Sequence, residues 1–178
     1  MAENINVSKI VSLEPSIKKQ TKTVATEKAK VKRVITATKK WIFNTNELIP
    51  ENQYASIHDN SGNNILFVER QIAQKISGYR SQDIEKKLLS PELFVNKNDV
   101  FALFQSSQLK CYYCKECVLV LYEHVRDPKQ WTLERIDNSR GHNRDNVEIA
   151  CLRCNVRRRC MKPEKYILTK QMSNVVKI

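Results

Sequence analysis

Glycine is scarce in this 178-residue chain, with three in all. The scarcity excludes glycine-rich phosphate loops, because neither a Gly-x-Gly-x-x-Gly nor a Walker pattern occurs. Long apolar runs are missing too, and none approaches the roughly 20 residues needed to cross a bilayer. Met1 to Ile10 lacks the unbroken apolar core of a secretory signal. These absences lead us to expect a soluble intracellular protein with no membrane contact and no small-molecule cofactor. Acidic residues are the minority: 31 Lys and Arg face 19 Asp and Glu, for a net charge of +12. A hydrophobic share of 41% is enough to bury a core, which argues against global disorder. Six cysteines without a secretory signal read as reduced thiols or metal ligands rather than disulfides.

The charge is uneven along the chain. Residues 1–40 hold 10 basic and 3 acidic side chains, residues 41–110 hold 7 and 8, and residues 111–162 hold 11 and 7. The first forty residues contain no aromatic residue and no glycine, and no period that could build a core. They are expected to form a flexible basic arm, suited to solubility or to salt-sensitive contact with phosphates. Residues 163–178 are a C-terminal extension.

Residues 41–110 read as a helical module. Asp59 to Asn64 are all turn formers. A helix is expected from Leu66, with Val68, Ile72 and Ile76 on one face and Gly78 as its stop. Ser81 caps a second short helix through Ile84 and Leu88, and Asn98 caps a third carrying Val100, Leu103 and Phe104. His58 stands alone in a polar stretch and reads as a surface residue. The segment promises packing, not chemistry.

Chemistry begins at Cys111. Cys111-Tyr-Tyr-Cys114 and Cys151-Leu-Arg-Cys154 are two C-x-x-C pairs, each able to put two thiolates on one tetrahedral zinc. Thirty-six residues separate them, so the intervening chain must carry structure of its own. Zn²⁺ would also staple a unit of about fifty residues that is too small for a large core. Lys115 and Lys162 favour thiolates nearby. Cys117 is an alternative partner of Cys114, but it precedes the apolar run Val118 to Tyr122 and reads as core. Cys160 reads as inert core on the helix behind the second pair.

Between the pairs, Trp131 and Leu133 with Thr132, Glu134 and Ile136 read as a short strand. Asp137 to Asn146 form a polar loop, Val147 to Ile149 a return strand, and Cys151 to Met161 a helix. On that helix Asn155 turns away from Cys154, and Arg159 follows one turn later on the same face. The stretch Trp131 to Asn155, with Glu134, Asp145-Asn146-Val147 and Cys151-x-x-Cys154-Asn155, resembles the zinc-bearing HNH endonuclease family. It is most similar to variants from phages and large DNA viruses.

The resemblance covers residues 111–160 and implies an α+β chain in which the helical module precedes a zinc-stabilised ββα-metal module. It implies DNA as partner and phosphodiester cleavage as activity. Glu134 and Asn155 would hold a catalytic Mg²⁺ or Mn²⁺ through a carboxylate and an amide oxygen. Asn146 would brace the loop through its backbone. Arg140, Arg144, Arg153, Arg157, Arg158 and Arg159 would grip phosphates. Where the family carries its general-base histidine, this chain has Arg135, which stays protonated. Either His142 reaches the water, or Asp137 acts as base or extra ligand with Arg135 on the phosphate, or the site binds DNA without cutting. A structural or packaging protein, with zinc as a staple only, is the remaining alternative.

Overall fold

In a computed structural model, the structure describes residues 29–42, 44–59 and 65–173. The chain is α+β. A short helix α1 (Val34–Ala37) and a 3-10 turn (Thr45–Leu48) lead into α2 (Pro50–His58), the long α3 (Ile65–Glu85) and α4 (Lys97–Ser107). Then come β1 (Trp131–Arg135), β2 (Val147–Cys151), α5 (Leu152–Arg158) and α6 (Pro163–Ser173). The two strands pair antiparallel, with Leu133 opposite Ile149 and Glu134 opposite Glu148. Among the described residues no helix is long and apolar enough to cross a membrane.

A single cluster of buried side chains runs from Trp41 and Ile72 through Phe104 to Trp131, Ile149 and Tyr166. Phe104 of α4 meets Trp131 of β1 edge-on, with ring centroids 5.0 Å apart. Such an aromatic pair adds about 0.5–1.5 kcal/mol to the area it buries. From α2, Gln53 Oε1 accepts the amides of Val120 (2.8 Å) and Leu121 (2.9 Å). Its Nε2 donates to the Leu121 carbonyl at 3.0 Å. One buried amide therefore satisfies a stretch of backbone that has no strand partner at those groups.

α3 differs from the expectation. It is one helix of 21 residues rather than two, and Gly78 lies inside it instead of ending it. A glycine stops a helix by adopting the left-handed conformation, and Gly78 stays helical with nothing within 4 Å of a Cβ built there. The apolar stripe of Val68, Ile72 and Ile76 therefore continues to Tyr79 and buries Asp83 at its far end. α4 is capped by Asn96, two residues before the expected cap. Asn96 Oδ1 accepts the amides of Asn98 and Asp99, and Asp99 answers by accepting the Asn96 amide at 2.9 Å. This reciprocal box outcompetes Asn98 as the start.

The first and last described stretches pack against the core. The arm expected over residues 1–40 lies outside the described residues as far as position 28. From Lys32 onward the chain docks: Arg33 donates its amide to the Glu123 carbonyl at 2.9 Å and its guanidinium to the Tyr122 carbonyl at 3.3 Å. Within the C-terminal extension α6 is a packed helix, with Tyr166 buried and edge-on to Tyr113 at 4.9 Å. The turn at Asp59 to Asn64 lies outside the described residues beyond Asp59. His58 is on the surface, 3.1 Å from Asp59.

Candidate functional site

The four cysteines of the two C-x-x-C pairs meet. Their sulfurs all lie within 4.8 Å of one another, and those of Cys114 and Cys151 are 3.9 Å apart. A tetrahedral zinc with bonds of about 2.3 Å would separate its sulfurs by about 3.8 Å, so the cluster could bind a metal such as zinc. The first pair sits on a tight turn. The Lys115 amide returns to the Cys111 carbonyl at 2.9 Å, and Lys115 takes a left-handed φ of 58°. Tyr112 ties this turn to β2 through the Ile149 carbonyl at 2.8 Å. Cys151 ends β2 and caps α5, which puts Cys154 on the first helical turn.

The thiols are electrostatically frustrated on their own. Hydrogen bonds from Cys151 and then Cys154 hold the Cys111 thiol well below its usual range. As the donors to that sulfur, Cys151 is pushed far up and Cys154 up to about 11. A cation among the four sulfurs would let all of them bind as thiolates. Cys117 and Cys160 stand outside the cluster. Cys160 departs from expectation: α5 ends at Arg158, and Cys160 is exposed rather than core.

Beside the cluster, β1, α5 and α3 line a cleft of about 780 Å³. Glu134, Arg135, His142, Asn155, Arg158 and Arg159 all border it. Asn155 donates Nδ2 to Thr132 Oγ1 at 3.1 Å and to the Leu133 carbonyl at 3.4 Å, leaving Oδ1 as its free acceptor among the described residues. Glu134 is only 4% exposed, and its Oε1 takes a hydrogen bond from Arg158 Nε. Burial raises the Glu134 carboxyl, while the Arg158 guanidinium opposes that rise. Its second oxygen has no partner among the described residues.

The loop between the strands is held from inside. Asn146 Oδ1 accepts the Asp137 amide at 2.9 Å, and its Nδ2 reaches the carbonyls of Asp137 and Gly141, each at 3.0 Å. Arg135 adds bonds from one guanidinium nitrogen to the carbonyls of Asn138 and Arg140. Asp137 does not join the cleft. Its Oδ1 accepts the Ser139 amide (2.8 Å) and hydroxyl (2.7 Å), and these bonds hold it below the usual carboxylate range.

The arginines divide. Arg157 and Arg159 are exposed, and Arg144 is exposed beside the Glu92 carbonyl. Arg140 pairs with Asp145, and Arg153 makes a two-oxygen contact with Glu116 at 2.8 and 2.9 Å. Arg158 is unsuited to gripping an external phosphate, being 2% exposed and bonded to Glu134, Met161, Arg135 and Asn138. It is the internal counter-charge of Glu134. Arg159, at the end of α5, has φ 52° and ψ −117°, a conformation a non-glycine residue holds only at a cost.

Three residues on α3, two lining the cleft and one buried behind His142, had no signal in the sequence. Tyr79 accepts the Leu133 amide at 3.0 Å with its hydroxyl, and burial raises its phenol. Lys75 donates to the Trp131 carbonyl and lies over the Trp131 ring at 4.4 Å, and burial lowers its ammonium to about 7. Asp83, fully buried, binds His142 twice, accepting its amide at 2.6 Å and lying 2.8 Å from its Nδ1. The helical period of buried residues is the only hint that such groups face inward. No family model, curated protein or solved structure matches this chain.

Proposed function

We propose that the chain is a metal-dependent nuclease acting on DNA, of the zinc-bearing HNH kind, with β1, β2 and α5 forming the ββα-metal unit. The observation that carries this reading is the convergence of Glu134, Asn155, Arg135 and His142 on one cleft beside the four-cysteine cluster. Zinc in that cluster would join the turn before the strands to the helix after them. The donor set in the cleft fits a second, harder ion: one carboxylate oxygen and one amide oxygen are free among the described residues, and neither is sulfur. A divalent ion held there would neutralise charge on the phosphate and on the leaving oxygen.

The protein's own groups have distinct tasks in this reading. Thr132 and the Leu133 carbonyl fix the Asn155 amide so that its oxygen is the end presented to the cleft. Arg158 opposes the rise that burial imposes on the Glu134 carboxyl and favours its ionised form. Arg135 and Arg159 border the same space and supply positive charge for a phosphodiester, and Arg157 extends that charge on the exposed side of α5.

The test is nicking of supercoiled DNA with Mg²⁺ or Mn²⁺. Nicking is expected from the wild type, lost in EDTA and lost in Asn155→Ala, with DNA affinity nearly unchanged in that variant. A wild type that binds DNA but stays inert with both ions would instead make it a DNA-binding module.

A further inference from the structure

We propose that His142, oriented by Asp83 of α3, is the general base of this site, so that the long helix supplies part of the catalytic machinery. The inference rests on the nuclease reading. Its geometric basis is separate from the strand and helix that carry Glu134 and Asn155. Asp83 is 0% exposed and takes both polar hydrogens that His142 offers on one side, the backbone amide at 2.6 Å and Nδ1 at 2.8 Å. With a carboxylate accepting at Nδ1, the proton of a neutral imidazole resides there and Nε2 is left bare. Among the described residues Nε2 has no hydrogen-bond partner, and His142 borders the cleft. The ring packs against Tyr79 at a 30° tilt with centroids 4.5 Å apart, which restricts its plane.

The backbone around His142 is equally constrained. Its carbonyl accepts the Val95 amide at 3.0 Å, and the next residue but one, Arg144, donates its amide to Leu93 at 2.9 Å. Gly141 allows the approach to α3: a Cβ there would lie 2.5 Å from the Leu88 carbonyl and 2.8 Å from Asp83 Oδ2. A base that must meet a water at a fixed point needs such rigidity. This position explains how arginine can occupy the place of the expected histidine.

In the step itself, Nε2 takes a proton from the attacking water as the new P–O bond forms. The bond to the leaving sugar oxygen breaks with its electron pair, and solvent returns a proton to that oxygen. The imidazolium then releases its proton to water. Four charged or titratable groups face His142: Asp83 raises its proton affinity, Arg135 and Lys86 lower it, and Tyr79 covers one face. Burial is the largest influence and lowers the ring's proton affinity, favouring the neutral imidazole.

Three histidines in the chain make ring NMR tractable. In the wild type, ¹⁵N shifts of His142 should report a proton on Nδ1 and a bare Nε2. Replacing Asp83 with Asn should move its titration to lower pH, because a carboxylate that favours imidazolium is gone. Nicking by His142→Gln should fall by about 10²–10⁴-fold, the worth of a positioned base. The loss in Asp83→Asn should be smaller, with the acid limb of its pH–rate profile displaced in step with the NMR titration. A merely structural Asp83 would lower the rate without moving that limb. A protonated Nε2 in the wild type would overturn the proposal even if both variants fail to fold. Active wild type with an equally active His142→Gln would overturn it alone, leaving the nuclease reading intact. Inert wild type would sink both.

Discussion

The stretch from Cys111 to Asn155 and the helix Ile65–Glu85 face each other across one cleft, yet they announce themselves very differently. The first advertises its chemistry through spacing: paired cysteines, a strand ending in Glu134 and Arg135, and an asparagine directly after the last cysteine. The second has near-neutral charge and an ordinary apolar stripe, and it still delivers Lys75, Tyr79 and Asp83 to the site. Residues that bind metal are constrained in sequence by local geometry. Residues that orient another side chain need only be on the right face of a helix, and almost any sequence distance will do. His142 and Asp83 are 59 positions apart.

The largest effect that would separate the two regions is loss of the cysteine cluster. Chelation, or Cys154→Ser, should cost several kcal/mol and unfold β1, β2 and α5. Because Phe104 and Trp131 share a core, α4 should loosen with them; far-ultraviolet circular dichroism and amide exchange would report it. An α3–α4 unit that melts unchanged would mean the two regions are independent after all.

A second effect tests the buried ammonium on α3. Lys75 is lowered to about 7 in the folded protein, whereas an unfolded lysine titrates near 10.4. Between those values the unfolded chain binds more protons, so stability should rise with pH, and below about pH 7 the penalty is complete. The difference in melting temperature between wild type and Lys75→Met should therefore shift in favour of the wild type from pH 7 to pH 10. A difference flat in pH would show that the ammonium is not disfavoured.

Arg135→His sharpens the role of the loop. If His142 is the base, a second imidazole adds nothing and the two loop hydrogen bonds of Arg135 are lost. Nicking should then slow roughly three- to tenfold, the worth of one ordinary hydrogen bond. A faster variant would favour a site that had lacked a base. The smallest effect belongs to Gly78: nothing lies within 4 Å of a Cβ there, so Gly78→Ala should stabilise α3 by about 0.5–1 kcal/mol, measurable by urea titration.

Much of the fold beyond α2 was legible. The strands, the intervening loop and the four-cysteine cluster follow from alternation, turn residues and spacing. The boundaries on α3 and α4 were not legible. Gly78 signals a stop only when the chain has nowhere to pack, and here Tyr79 and Asp83 bury the turn that follows. Arg158 illustrates a further limit. In a run of three arginines nothing in the sequence distinguishes the one that turns inward to Glu134 from the two that remain exposed. Composition gives charge but not direction.

The most direct test of the central claim, that the two regions form one nucleic-acid site, is amide hydrogen exchange with duplex DNA and no added divalent ion. The account predicts protection on both walls of the cleft, around Lys75 to Lys86 and around Asn155 to Arg159. Protection confined to one wall, or to segments remote from the cleft such as α6, would contradict it.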